Sequence, residues 1–268
     1  MSQRPQPAPV VTPTPDLAFA VPTEFVELPS RGEFYSEDHP LHKQETVEIK
    51  FMTAKDEDIL SSQALLKKGL AIDRLLSSLL VEDIDPTTLL VGDRSAILIA
   101  ARASGYGKQY DVEYTCKNCA AKSEINFDLE EAKITGECFN GNFLASEEII
   151  FNEQTNTFDV TLPTTGVQVG LRLLDGKKEK EFSRGGMNED NLITSMLAAF
   201  LVKVNENLDK NYVRDFIDIM PVKDSKYLRD LYPKLVPKIR LIHYHTCTNC
   251  YLQKDVEVPL TAEFFWPE

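Results

Sequence analysis

The stretch YDVEYTCKNCAAKSEINFDL at residues 110–129 is matched in pattern by LIHYHTCTNCYLQKDVEVPL at residues 241–260. Each opens on an alternating run, passes through a TCxNC core and a polar stretch, and closes on a second alternating run that ends in leucine. Alternation with a period of two marks a half-buried strand, so each stretch is expected to be a hairpin with its CxxC at the tip. Cys116 falls in register with Cys247, and Cys119 with Cys250. The two residues between the cysteines of a pair turn the backbone and aim both sulfurs the same way. Two such tips facing each other supply four thiolates, the tetrahedral donor set that zinc takes. Two zinc-knuckle hairpins sharing one four-cysteine site, with Cys116, Cys119, Cys247 and Cys250 as ligands, are therefore expected. Four protein ligands leave no position open for water, so the Zn2+ is expected to be structural.

Other readings of these cysteines account for less. Four plain buried thiols explain each residue singly but not the paired spacing. A thioredoxin-like dithiol needs its CxxC at a helix N-terminus after a strand, and here strands are expected on both sides. His243 and His245 share a strand face with Cys247, but four cysteines already fill a tetrahedron, so the histidines are assigned to the surface or to packing. Cys138 lies outside both motifs and is expected to be a plain buried thiol. The two pairs are well over a hundred residues apart, so a shared metal would staple the middle of the chain to its C-terminal part.

Composition bounds the remaining possibilities. The chain has 268 residues, 43% hydrophobic and 26% charged, which is ordinary for a globular protein. Its net charge of −13 repels phosphate backbones and disfavours nucleic acid as a partner. No apolar run approaches the ~18–20 residues of a membrane span, and no apolar secretory segment opens the chain. Five cysteines, an odd number, fit a reducing cytoplasm better than a disulfide framework. Nucleotide-binding glycine loops, HExxH, GxSxG and the HxE of zinc deaminases are all missing, so no catalytic residues are assigned and the chain is not expected to be an enzyme.

Outward from the cysteine repeats, the pattern is mixed. Residues 1–24 include five prolines among the first fifteen positions and are expected to form a flexible arm, either a solvated leader or a segment that orders on a neighbour. Val47, Ile49 and Phe51 alternate with charged residues in a strand over 45–52. Thr53 reads as a helix N-cap with Asp56 completing a capping box. The acidic run Asp56-Glu57-Asp58 is read as a solvated helix start. Ile59, Leu60, Ala64, Leu65 and Leu66 fit one helical face that ends at Lys67-Lys68-Gly69. Further helices are expected over 71–81 and over 93–104, the latter stopping at Gly105. Phe158, Val160 and Leu162, then Val167, Val169, Leu171 and Leu173, alternate around a Thr164-Thr165-Gly166 turn and predict a hairpin. Asp175 is expected to cap a helix in the charged run after it. Helices follow over 190–204, 210–220 and 224–231, punctuated by Pro221, Pro233 and Pro237. Phe264, Phe265 and Trp266 make an aromatic C-terminal tip; it either docks on the chain's own core or anchors in a partner.

The fold class is thus α+β, helices packed with short antiparallel strands and the two zinc-knuckle hairpins. One interlocked unit spans 25–268: a strand with helices at 25–109, the first zinc hairpin at 110–129, a β-hairpin and helical region at 130–237, and the second zinc hairpin with its aromatic tip at 238–268. The strings LPSRGEFY (28–35), MTAKDEDIL (52–60), KKGLAIDRLL (67–76) and GDRSAILIAARASGYG (92–107), running into YDVEYTCKNC, together resemble the baseplate proteins of T4-like contractile-tailed bacteriophages, of the hub type. The resemblance is close over residues 28–129 and looser through the second TCTNC. It implies a structural virion component in the tail baseplate, assembled in the host cytoplasm, present in multiple copies in a symmetric assembly and in contact with other baseplate and tail proteins. A zinc-ribbon adaptor or assembly factor that binds nucleic acid or other proteins without entering the mature tail is the alternative. The mixed or acidic charge beside both TCxNC cores (Lys117 and Lys122 against Glu113, Glu124 and Asp128; Lys254 against Asp255 and Glu257) weighs against nucleic acid.

Overall fold

The computed structural model describes residues 21–135, 149–184, 191–258 and 262–265. Strand β1 (Thr23–Glu27) pairs antiparallel with β2 (Thr46–Lys50), placing Val26 opposite Val47. The arm boundary expected at residue 24 therefore falls inside a strand, and residues 1–20 of the arm lie outside the described residues, as does Cys138. After β2 the Asp56 carboxylate accepts from the Thr53 N–H at 2.8 Å and from its hydroxyl at 2.7 Å, the reciprocal half of a capping box. Asp56 is 2% exposed, so it is a buried cap and not part of a solvated acidic start. The single helix expected next is broken at Ser62, whose ψ of 103° is extended. It becomes α1 (Ala54–Ser61) and α2 (Gln63–Lys67), and Leu65 and Leu66 are only half-buried. Helix α3 (Ala71–Leu79) follows, then α4 (Val91–Tyr106), which runs through Gly105 and ends at Gly107, where φ is +94°.

Helix α4 is the organiser of this half of the protein. Its Asp93, with no exposed surface, accepts the backbone N–H and hydroxyl of Ser30 at 2.9 and 2.5 Å and the Tyr35 hydroxyl at 2.8 Å. Tyr35 in turn accepts the Leu90 N–H at 3.0 Å. Next to it, Arg94 donates to Asp73 of α3 at 3.0 Å and to the Pro86 carbonyl at 2.6 Å, and Lys180 also pairs with Asp73. The strings that carry the resemblance thus meet in space. LPSRGEFY supplies Ser30 and Tyr35, KKGLAIDRLL supplies Asp73, and GDRS supplies Asp93 and Arg94. A buried carboxylate without donors is costly, which explains why these residues come as a set.

The chain then forms β3 (Gln109–Thr115) and β4 (Lys122–Asp128), a paired hairpin, and β5 (Lys133–Thr135). Strands β6 (Ile149–Asn152), β7 (Thr157–Thr161) and β8 (Gln168–Leu171) build an antiparallel sheet, with β7 and β8 as the expected hairpin. Asp175 caps α5 (Gly176–Arg184) by accepting the Lys178 N–H at 2.7 Å. Helix α6 (Leu192–Phe200) stops earlier than expected: residues 201–204 turn extended and become β9 (Leu201–Val204), completing the sheet in the order β6-β7-β8-β9. Valines at 202 and 204 favour that outcome. Across this sheet Asp159, Gly170 and Lys203 lie side by side, and Lys203 reaches over the glycine to pair with Asp159 at 2.5 Å. A β-carbon on Gly170 would stand 2.9 Å from the Lys203 Cβ and 3.1 Å from an Asp159 carboxylate oxygen.

Helix α7 (Lys210–Ile219) packs on β9, and helix α8 (Val222–Leu235) packs on α6, with Tyr232 stacked on Phe200. Helix α8 runs through Pro233, where a stop was expected; the missing N–H forfeits one backbone bond, to the Arg229 carbonyl, and the helix ends two residues later. Its Asp224 accepts from the N–H groups of Thr164 and Thr165 at 2.8 and 3.1 Å and ties the β7–β8 turn to the helix. Strand β10 (Lys238–Arg240) pairs with β5 and runs so close to α4 that a β-carbon on Gly92 would lie 2.0 Å from the Pro237 carbonyl oxygen. Strands β11 (Ile242–Thr246) and β12 (Gln253–Glu257) make the last hairpin, before a 3-10 turn at Ala262–Phe265. The architecture is α+β with antiparallel sheets, as the sequence predicts. One cluster of buried side chains runs from Val26 through Ile97 and Phe158 to Phe265.

Candidate metal centre

The two hairpins are built alike. In the first, the Ala120 N–H returns to the Cys116 carbonyl and the Cys116 N–H goes to Ala121, each at 2.9 Å; in the second, Tyr251 and Leu252 make the same bonds with Cys247 at the same 2.9 Å. Ala120 and Tyr251 take left-handed backbone, with φ of 58° and 57°. Non-glycine residues rarely adopt this conformation, and here it falls just after the second cysteine of each pair and turns the chain back so that the next carbonyl accepts the N–H of the first cysteine. Thr115 pairs with Lys122 and Thr246 with Gln253, so the tips leave their strands in the same register.

Facing each other, the tips interleave their sulfurs. Cys116 Sγ lies 3.7 Å from Cys250 Sγ, and Cys119 Sγ 3.6 Å from Cys247 Sγ. All four sulfurs are within 4.8 Å of one another. Sulfurs held at ~2.3 Å from a tetrahedral ion stand about 3.8 Å apart along each edge, so the spacing fits a bound zinc and is far too wide for disulfides at ~2.05 Å. Cys116 and Cys247 are buried and their partners half-buried, so the centre is closed toward the protein.

The surroundings favour thiolates. Asn118 of the first tip hydrogen-bonds to Cys250 of the second, and this bond, joined by the Leu252 N–H, pulls the Cys250 thiol down to about 6. Reciprocally, Asn249 of the second tip reaches Cys119 of the first; the Ala121 N–H and this side chain hold that thiol below its ordinary value. Cys247 moves the other way. The N–H groups of Cys250 and Asn249 pull it down, but burial and the neighbouring sulfurs of Cys119 and Cys250 leave it raised. The asparagine of TCxNC is the functional residue that the sequence reading passes over, although its repetition at 118 and 249 is visible.

The family model for the T4 bacteriophage base plate protein matches residues 22–266. The chain belongs to this family. No curated protein and no solved structure matches it. Membership gives the baseplate protein a place in the phage tail baseplate and contacts with other phage tail or baseplate proteins. Among its described residues, no helix is long and apolar enough to cross a membrane.

The other residues singled out in the baseplate protein's sequence are placed as follows. His245 packs edge-on against Tyr114 at 5.4 Å and His243 against Phe127 at 5.7 Å. The histidines thus join the two hairpins to each other below the sulfurs, in the packing role. Phe264 and Phe265 are each 1% exposed, and Phe264 lies 4.9 Å from Tyr110 at the foot of the first hairpin. Of the two placements open to the aromatic tip, these two rings are found against the chain's own core. Burial of two phenyl groups explains it, since each removes a large apolar area from water. Trp266 lies outside the described residues.

Proposed function

We propose that this chain is a non-enzymatic structural component of a contractile phage tail baseplate, in the hub or its wedges, with Cys116, Cys119, Cys247 and Cys250 holding one structural Zn2+. The reading is carried by the meeting of four sulfurs, from two hairpins far apart in sequence, within 4.8 Å of one another and with both cross-hairpin pairs at 3.6 and 3.7 Å near the edge length of a zinc tetrahedron. Closed on all four positions by protein, such an ion has no site for substrate and serves to clamp 25–268 into one interlocked unit.

Contacts with proteins, and not nucleic acid, are supported by a difference between the hairpins. At corresponding positions the first carries Asp111, Glu113, Ala120 and Ala121, whereas the second carries Ile242, Tyr244, Tyr251 and Leu252. Those four apolar residues are 42%, 61%, 78% and 39% exposed. The metal-binding half of the repeat is kept in both hairpins, and large apolar side chains face solvent only on the second. Aromatic and aliphatic exposure without a basic surround suits a protein neighbour.

Two measurements test the proposal. Metal analysis of the purified chain should find one zinc per chain, and none in Cys116→Ser or Cys250→Ser. Quantitative mass spectrometry of gradient-purified tails should find the chain at fixed copy number. Abundance in the lysate with absence from tails identifies an assembly factor or adaptor instead.

A further inference from the structure

A cavity of about 420 Å³ is walled by Arg172 just after β8, Lys178 of α5, the end of α6, the start of β9 and one side of α7. Four cations line it, Arg172, Lys178, Lys210 and Arg214, and among the described residues no carboxylate does. In a chain of net charge −13 this is a local reversal of sign. Another cavity of similar size, about 450 Å³, shows the ordinary case, with Asp38, Asp83, Asp85 and Asp175 in its wall. The rest of the basic cavity is apolar. Val213 and Ile217 form a buried floor, and Leu208 stands half-exposed at the rim.

Internal structure accounts for only part of this charge. Lys178 pairs with Glu181 at 2.7 Å, and Arg172 donates to the Thr155 carbonyl at 3.0 Å. Lys210 also acts on Glu181 through space. Among the described residues, however, neither Lys210 nor Arg214 forms an ion pair. The one carboxylate between Leu208 and Lys210, Asp209, is turned away to cap α7 by accepting the N–H groups of Asn211 and Tyr212 at 3.0 and 2.9 Å. Lys210 sits at the first position of that helix, where the dipole disfavours a cation. Helix stability therefore does not explain its presence.

We infer that this cavity is a docking site for an acidic peptide segment of another protein, one that places a large apolar side chain on the Val213–Ile217 floor and carboxylates against Lys210 and Arg214. Charge complementarity decides the occupant's sign. The apolar floor, without an aromatic platform for bases, decides for a peptide over a nucleic-acid strand. The inference rests on the reading of the chain as a component that contacts other proteins, but it is independent of the metal.

The test uses the full chain and a fluorescein-labelled peptide of alternating leucine and glutamate, followed by anisotropy. The same peptide with glutamine for glutamate, and a single-stranded oligonucleotide, serve as comparisons. The leucine–glutamate peptide should bind, and added salt should weaken it. The double variant Lys210→Glu/Arg214→Glu should bind it roughly tenfold more weakly or worse, since like charges then face each other. Zinc content and thermal midpoint should stay at wild-type values in that variant, which shows that it folds. Lack of peptide binding, equal binding by the double variant, equal binding of the glutamine peptide, or preference for the oligonucleotide each overturns the inference. A wild-type chain that binds the peptide but carries no zinc would count against the metal reading alone.

Discussion

Asp93 shows how a single side chain can organise distant sequence. Its carboxylate takes three donors from a loop about sixty residues earlier, and burial pushes its titration upward while the Ser30 and Tyr35 donors offset part of that shift. Tyr35→Phe removes the hydroxyl that serves Asp93 and the Leu90 N–H together, leaving a buried donor unmet. A loss of about 2 kcal/mol is expected, to be read as a lower urea midpoint at unchanged slope. Asp224 offers the opposite sign of titration. Burial raises it, but the Thr164 and Thr165 donors outweigh burial and hold the carboxyl below its ordinary value. A group depressed in the folded state gives stability that is fully present above its unfolded pKa, about 3.9, and is lost as pH falls through the folded value. Asp224→Asn should therefore flatten the acid limb of the stability–pH curve and leave its shape above neutrality unchanged. An acid limb as steep as wild type would show that Asp224 does not contribute. Of these residue contacts only the local ones were legible. Thr53 with Asp56, and Asp175 with the turn that follows it, lie within three positions of their partners, whereas nothing in the string LPSRGEFY says that Ser30 and Tyr35 await an aspartate on α4.

At the scale of elements, the sequence is read correctly where one period dominates and misread where packing intervenes. The β7–β8 hairpin, β2 and both cysteine hairpins alternate cleanly and form as expected. The apolar face of residues 59–66 reads as one helix but is divided at Ser62, because a helical pattern carries no record of where neighbours force an extended residue. Likewise α6 hands its last four residues to β9, since the edge of β8 offers them a ladder. That sheet makes its own prediction. Lys203 and Asp159 form a pair with side chains 3% and 8% exposed, and the pair exists because position 170 between them has no side chain. Gly170→Ala should push the lysine stem off its carboxylate and leave two imperfectly paired buried charges. A destabilisation of about 3 kcal/mol is expected, measurable as a fall in the calorimetric midpoint. A midpoint within experimental scatter of wild type would mean that the pair tolerates a methyl group between its partners.

For the whole molecule, the decisive feature is how unequally the metal centre is supported. The feet of the two hairpins are part of the protein core: Tyr110, Ile125, Phe127 and Val258 are all buried, and Phe264 packs on Tyr110. Their tips have little apolar burial of their own, with β11 and β12 mostly exposed along their length. Sulfurs 128 positions apart in sequence are brought to 3.6 Å there, and the Asn118 and Asn249 bonds to the opposite tip need the tips to face each other. The helices around α4 and the four-stranded sheet have no such dependence, since their side chains bury among themselves. If the four cysteines hold the proposed zinc, removing it with a chelator should therefore open the molecule in a definite order. Amide exchange should rise first in β3, β4, β11 and β12 toward their cysteine ends, while α4, β7 and β8 keep their protection. Lowering the pH should release the ion in the same way, because protons compete for thiolates. If exchange instead rises together throughout the chain on chelation, the metal supports the entire fold and the core around α4 is too weak to stand without it. If exchange does not change anywhere, the hairpins hold their tips by the histidine–aromatic contacts alone and the centre is not a structural staple.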